Sequence, residues 1–131
     1  MLAINPEQVC FLVIKARQFD VKEGSPEQEG SNAADEKFAS VLADTPDDAV
    51  ESELRQAIGA LNVDEQCDLV ALAWLGRGDF SGWTEAAAMA RERHTAHTAD
   101  YLLAMPLLGD YLEEGLSLMG YSCAEVDEAH L

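Results

Sequence analysis

Basic side chains are scarce in this sequence: eight lysines and arginines stand against 25 aspartates and glutamates over 131 residues, a formal net charge of −17. A surface of that sign repels phosphate backbones and anionic bilayers, which argues against direct binding to nucleic acid or membrane. Two uses remain for it. One is solubility, and the other is the presentation of carboxylates to a basic partner in imitation of a nucleic acid. The acids fall mostly in loops and helix starts rather than in one block, which favours solubility.

Targeting signals and cysteine frameworks are missing as well. The early apolar run "VCFLVI" is too short to span a bilayer, and "MLAINPEQ" lacks the cationic segment of a secretory leader. The cysteines, Cys10, Cys67 and Cys123, are odd in number, widely spaced and without a Cys-x-x-Cys pair. They predict neither a disulfide framework nor a zinc knuckle, and at Cys10 and Cys67 they predict thiols buried as small hydrophobes. The expectation is a soluble, cytoplasmic protein. Strand-like alternation and internal repeats are absent, as are Gly-x-Ser-x-Gly, His-Glu-x-x-His, Glu-x-x-His and a glycine-rich phosphate cradle. No cofactor is expected and no catalytic residue is assigned.

Helical periodicity is what the sequence does contain, within a composition that is 48% hydrophobic and able to bury a core. Asn5 and Pro6 open a first helix whose inward stripe is Val9, Leu12, Val13, Ala16 and Phe19, ending near Lys22. The acidic stretch 23–35 carries no large apolar residue and is expected to be a mobile loop. Phe38, Val41 and Leu42 suggest a short helix, and Thr45 with Pro46 starts another that turns Val50, Leu54, Ala57, Ile58 and Leu61 inward. Asn62 and Glu65 form a capping box for a third helix, with Asp64 and Asp68 complementing its dipole. Leu69 to Leu75 is apolar on every face, which places that helix, about 63–75, at the centre. Gly76 is the expected left-handed cap, followed by Arg77 at the negative helix end and Asp79 able to pair with it. A fourth helix should run from Ser81–Glu85 to Met105, where Pro106 interrupts, and a last one carries Leu108, Tyr111, Leu112, Leu116 and Met119 on one face before Gly120. The expected fold is all-α: one domain over 1–131, a bundle of five or six helices around the central one.

Few constellations carry chemistry. On an unbroken fourth helix His94, His97 and Tyr101 share a face, with Asp100 beside them, a set able to start a metal site or metal-dependent enzyme. The same face includes Trp83, Ala87, Ala90 and Met105, so packing is the favoured account, with the histidines hydrogen-bonded at the edge of a helix interface. Arg77, Arg91 and Arg93 form a small cationic set that holds one anion or, as the excess of acids favours, pairs with surrounding carboxylates. Glu113 and Glu114 precede Gly115, which permits close approach of another helix, including one from a second subunit in a homodimer.

The segments "LNVDEQCDLVALAWLGRGD" and "YLLAMPLLGDYLEEGL" resemble an uncharacterised bacterial family, domain of unknown function 3775, over Leu61 to Met119, most specifically in the run Trp74 to Asp79. The resemblance implies no reaction, cofactor or catalytic residue. It suggests a functional surface where Arg77 and Asp79 meet Tyr111, Glu113 and Glu114. The reading that follows is a non-catalytic domain that binds or regulates another protein.

Overall fold

Asn5 caps the first helix as its side chain predicts. Its Oδ1 accepts the Glu7 amide at 2.8 Å, and α1 runs Pro6–Gly24 with proline at the position that needs no amide hydrogen. The computed structural model describes residues 2–24 and 49–123. Beyond the last residues of α1, the acidic 23–35 stretch lies outside them. So do the elements expected around Phe38, Val41 and Leu42 and at Thr45 and Pro46. The expected stripe of α1 is buried at Val9, Leu12, Val13 and Ala16, with Phe19 partly so. Helix α2, 49–59, buries Val50, Leu54 and Ile58, and Leu61 follows them inward.

Helix α3, Val63–Arg77, begins at the expected capping box. The Glu65 amide donates to Asn62 Oδ1 at 2.8 Å, and the Asn62 amide donates to Glu65 Oε1 at 2.9 Å. All seven residues from Leu69 to Leu75 are buried. Burying one leucine is worth about 1.5–3 kcal/mol, so this run is the main apolar anchor of the fold. Helix α6, Leu108–Leu118, packs on one side of α3 and α4, Trp83–Glu92, on another, while α1 packs on α6. The architecture is all-α: six helices and no strand among the described residues, with α3 central. No described helix is long and apolar enough to cross a membrane.

The left-handed cap of α3 is Gly78, at φ 90°, and not Gly76. Gly76 stays helical because another backbone occupies the space of its missing side chain. A Cβ there would lie 1.9 Å from the Tyr111 carbonyl oxygen, and one on Gly115 would lie 2.2 Å from the Leu72 carbonyl oxygen. The close approach expected of Gly115 is thus an intramolecular seam between α3 and α6.

The single fourth helix expected to reach Met105 is two helices. Helix α4 stops at Glu92, and α5, Thr98–Leu103, restarts after a turn. Threonine explains the break. Thr95 Oγ1 accepts the His97 amide at 3.0 Å, and Thr98 Oγ1 donates to the Thr95 carbonyl at 3.2 Å, so side chains take bonds that a helix would need. His94, His97 and Tyr101 therefore do not share a helical face.

Cys10 and Cys123 form a disulfide with Cα atoms 5.5 Å apart, joining α1 to the residues after α6. Cys67 alone is free. This corrects the expectation of no disulfide and of a buried thiol at Cys10, and the part of the case for a reducing compartment that rested on the cysteines falls with it.

Asp68 does more than complement a dipole. It is 1% exposed, and its Oδ2 accepts the amides of Ala3 and Ile4, the latter at 3.4 Å, tying the chain ahead of α1 to the middle of the core. Asp68→Ala leaves the buried Ile4 amide and the part-buried Ala3 amide without this partner. The expected loss is about 2–3 kcal/mol of unfolding free energy, with part recovered in Asp68→Asn, which keeps an acceptor oxygen. Urea unfolding of the two variants checks this.

Candidate functional site

The break between α4 and α5 opens a pocket against α3. Its volume is about 490 Å³, within the usual range for a small-ligand site. Its walls include Cys67, Val70 and Trp74 from α3, Ala90 from α4 and Tyr101 from α5. Arg93, His94, Thr95 and His97 supply the intervening turn. The apolar face of α3 thus provides the floor, and the polar turn forms the rim.

The floor is fixed by ring contacts. The Trp74 indole N–H donates to Tyr101 Oη at 2.7 Å, the two rings meeting edge to face with centroids 6.4 Å apart. Phe80 lies 5.5 Å from Trp74, between centroids, and extends the cluster. Arg77 holds Asp79 through Nε at 2.8 Å and Nη2 at 2.5 Å. The hydrogen bond to Asp79 pushes the Arg77 pKa up, against the opposing effect of burial, and Tyr101 adds a lesser contribution in the same direction. The Arg77–Asp79 loop is thus held by its own ion pair at the end of α3. The pairing expected between Arg77 and Asp79 is present.

Most polar groups around the pocket are committed. Gln66 donates through Nε2 to the Ile58 carbonyl at 3.0 Å, which turns its Oε1 toward His94 Nε2 at 2.7 Å. Because an amide oxygen only accepts, that orientation places a proton on His94 Nε2. The Cys67 thiol is buried, its Sγ lies 3.8 Å from the Ala90 carbonyl, and burial pushes its pKa up, away from thiolate chemistry. His97 Nδ1 sits 3.5 Å from Asp100 Oδ2. Asp100 also binds Arg55, whose hydrogen bond holds that carboxyl below its usual range. No group of three or more histidine, cysteine or acidic side chains able to hold a metal exists among the described residues.

The arginines part company with expectation at one position. Arg91 pairs with Asp64 at 2.6 Å and Arg77 with Asp79. Arg93, on the pocket rim, has no side-chain partner among the described residues.

The surface expected between the Arg77–Asp79 loop and the last helix divides in two. The backbones meet, since Gly76 abuts Tyr111, but the charges point elsewhere. Arg17 of α1 takes Asp110 at 3.0 Å and also Glu113, and Glu114 lines the same shallow cleft beside Cys123. Gln66, Arg93 and Thr98 were not singled out together from sequence, because nothing local links Gln66 to a histidine 28 positions away.

No curated protein and no solved structure matches the chain. One family model, described as "Protein of unknown function (DUF3775)", matches residues 51–121. That span contains every residue lining the pocket and neither half of the disulfide. It takes in more than half of the 131 residues, and the chain belongs to the DUF3775 family.

Proposed function

We propose that this protein is a non-catalytic regulatory binding domain whose ligand site is the pocket between α3, α4 and α5. The observation that carries the reading is a small-molecule-sized pocket with an apolar floor and few uncommitted polar groups. Nucleophilic catalysis needs a nucleophile within hydrogen-bond reach of a base. Here the thiol faces a carbonyl and the imidazole faces an amide. Binding asks only for shape, apolar area and a few oriented polar contacts. Nucleic-acid mimicry has less support. Among the described residues Asp64, Asp79, Asp100, Asp110 and Glu113 are each tied to an arginine, which breaks up the free carboxylate face a mimic needs.

The test is a fragment screen on the full chain by NMR. Hits should cluster in their shifts on the Trp74 indole N–H, the Ala90 methyl and the Thr98 amide. A screen whose hits gather on another surface, or that yields none, overturns the assignment.

A further inference from the structure

We infer that the pocket takes a small aromatic monocarboxylate, with its ring against Trp74 and Tyr101 and its carboxylate on Arg93. This inference rests on the pocket being the ligand site. Three features of the lining narrow the chemistry. The floor presents an indole, a phenol, Val70, Ala90 and a buried thiol, surfaces that favour a flat apolar body. Arg93 is the one arginine lining this pocket, and its planar fork matches a carboxylate in two parallel hydrogen bonds. It has no side-chain partner among the described residues, so a ligand displaces no ion pair to reach it.

The charges around Arg93 set the valence. Asp100 also lines the pocket, and although Arg55 and His97 bind it, it stands against a second negative charge on the ligand. His94 Nε2 is already held by the Gln66 amide oxygen, so that ring nitrogen is not offered to a ligand. A net charge of −17 further rejects polyanions at long range. One charge on a compact ring satisfies all of these, whereas a dianion or an acidic polymer does not.

The probes are benzoate, its neutral amide benzamide, the cation benzylamine and the dianion phenyl phosphate, each titrated into the oxidised 131-residue chain while the Trp74 indole N–H is followed by NMR. Benzoate should bind at least tenfold more tightly than benzamide and more tightly than phenyl phosphate. Arg93→Gln, at an exposed position, should bring benzoate down to the benzamide level and leave benzamide unchanged. Equal affinity for benzoate and benzamide, preference for benzylamine or phenyl phosphate, or an unaffected Arg93→Gln variant overturns the carboxylate assignment while the pocket keeps its role. Failure of all four probes to perturb Trp74, together with a screen that yields no hit there, removes the pocket itself.

Discussion

Alanine at Gly115 or at Gly76 will destabilise the fold by about 3 kcal/mol or more, and the two together will abolish cooperative unfolding. Ordinary overpacking costs about 1–3 kcal/mol because neighbouring side chains give way. Here the obstructing atoms are main-chain carbonyls, 2.2 Å from a Cβ on residue 115 and 1.9 Å from one on residue 76. They cannot yield unless α3 and α6 separate, and separation uncovers Leu72, Leu112 and Leu116, all fully buried. Helix propensity works in the opposite direction by about 1 kcal/mol in favour of alanine. Gly59→Ala isolates that effect, because a Cβ on Gly59 meets nothing within 4 Å. Urea unfolding should show Gly59→Ala equal to or above the parent and both seam variants far below it. A Gly115→Ala protein as stable as the parent would show that the helices are not in backbone contact.

Opening the disulfide is the second large effect. Cys10 and Cys123 are 113 positions apart, and closing a loop of roughly that length restricts the unfolded chain by about 4–5 kcal/mol in the chain-entropy model. Reduction, or Cys10→Ala with Cys123→Ala, is expected to remove about 2–5 kcal/mol, the span commonly found for native bonds. Thiol counting supplies an independent check. Because Cys67 is buried, a thiol reagent should find none in the native oxidised protein, one in denaturant and three after reduction. Three without reductant would restore the expectation of free cysteines.

The parts of the fold that were legible in the sequence are those decided within a turn or two of helix. Asn62 and Glu65 announce the start of α3 because both halves of the capping box lie in four consecutive residues. Leu69 to Leu75 announces its place because no face of the helix is left for water. Gly76 was misread because a glycine near a helix end suits a left-handed cap and a close crossing equally, and only α6 decides between them. The break at His94–His97 left a local trace in Thr95 and Thr98, whose hydroxyls compete for backbone groups, but the hydrophobic spacing across it remained helical. The disulfide and the Gln66–His94 bond left no trace at all, since each depends on which distant segments the packed helices bring together. That Arg93 is the unpaired member of the cationic set was hidden for a different reason. A surplus of acids makes pairing the natural expectation for every arginine, and the exception exists only in three dimensions.

The two sides of α3 are built with different tolerances. Toward α6, contact runs through peptide groups at Gly76 and Gly115, where a shift of a few tenths of an ångström meets hard atoms. Toward α4 and α5, contact runs through side chains: the Trp74 indole on Tyr101, the Gln66 amide on His94 and the Cys67 sulfur near Ala90. Side chains adjust by rotation, whereas a backbone seam does not. Strain introduced at the pocket therefore has one compliant outlet, the short α5 and the turn before it. Through Asp100 that outlet touches Arg55 on α2, so among the described residues the bundle is a fixed frame with a sprung corner.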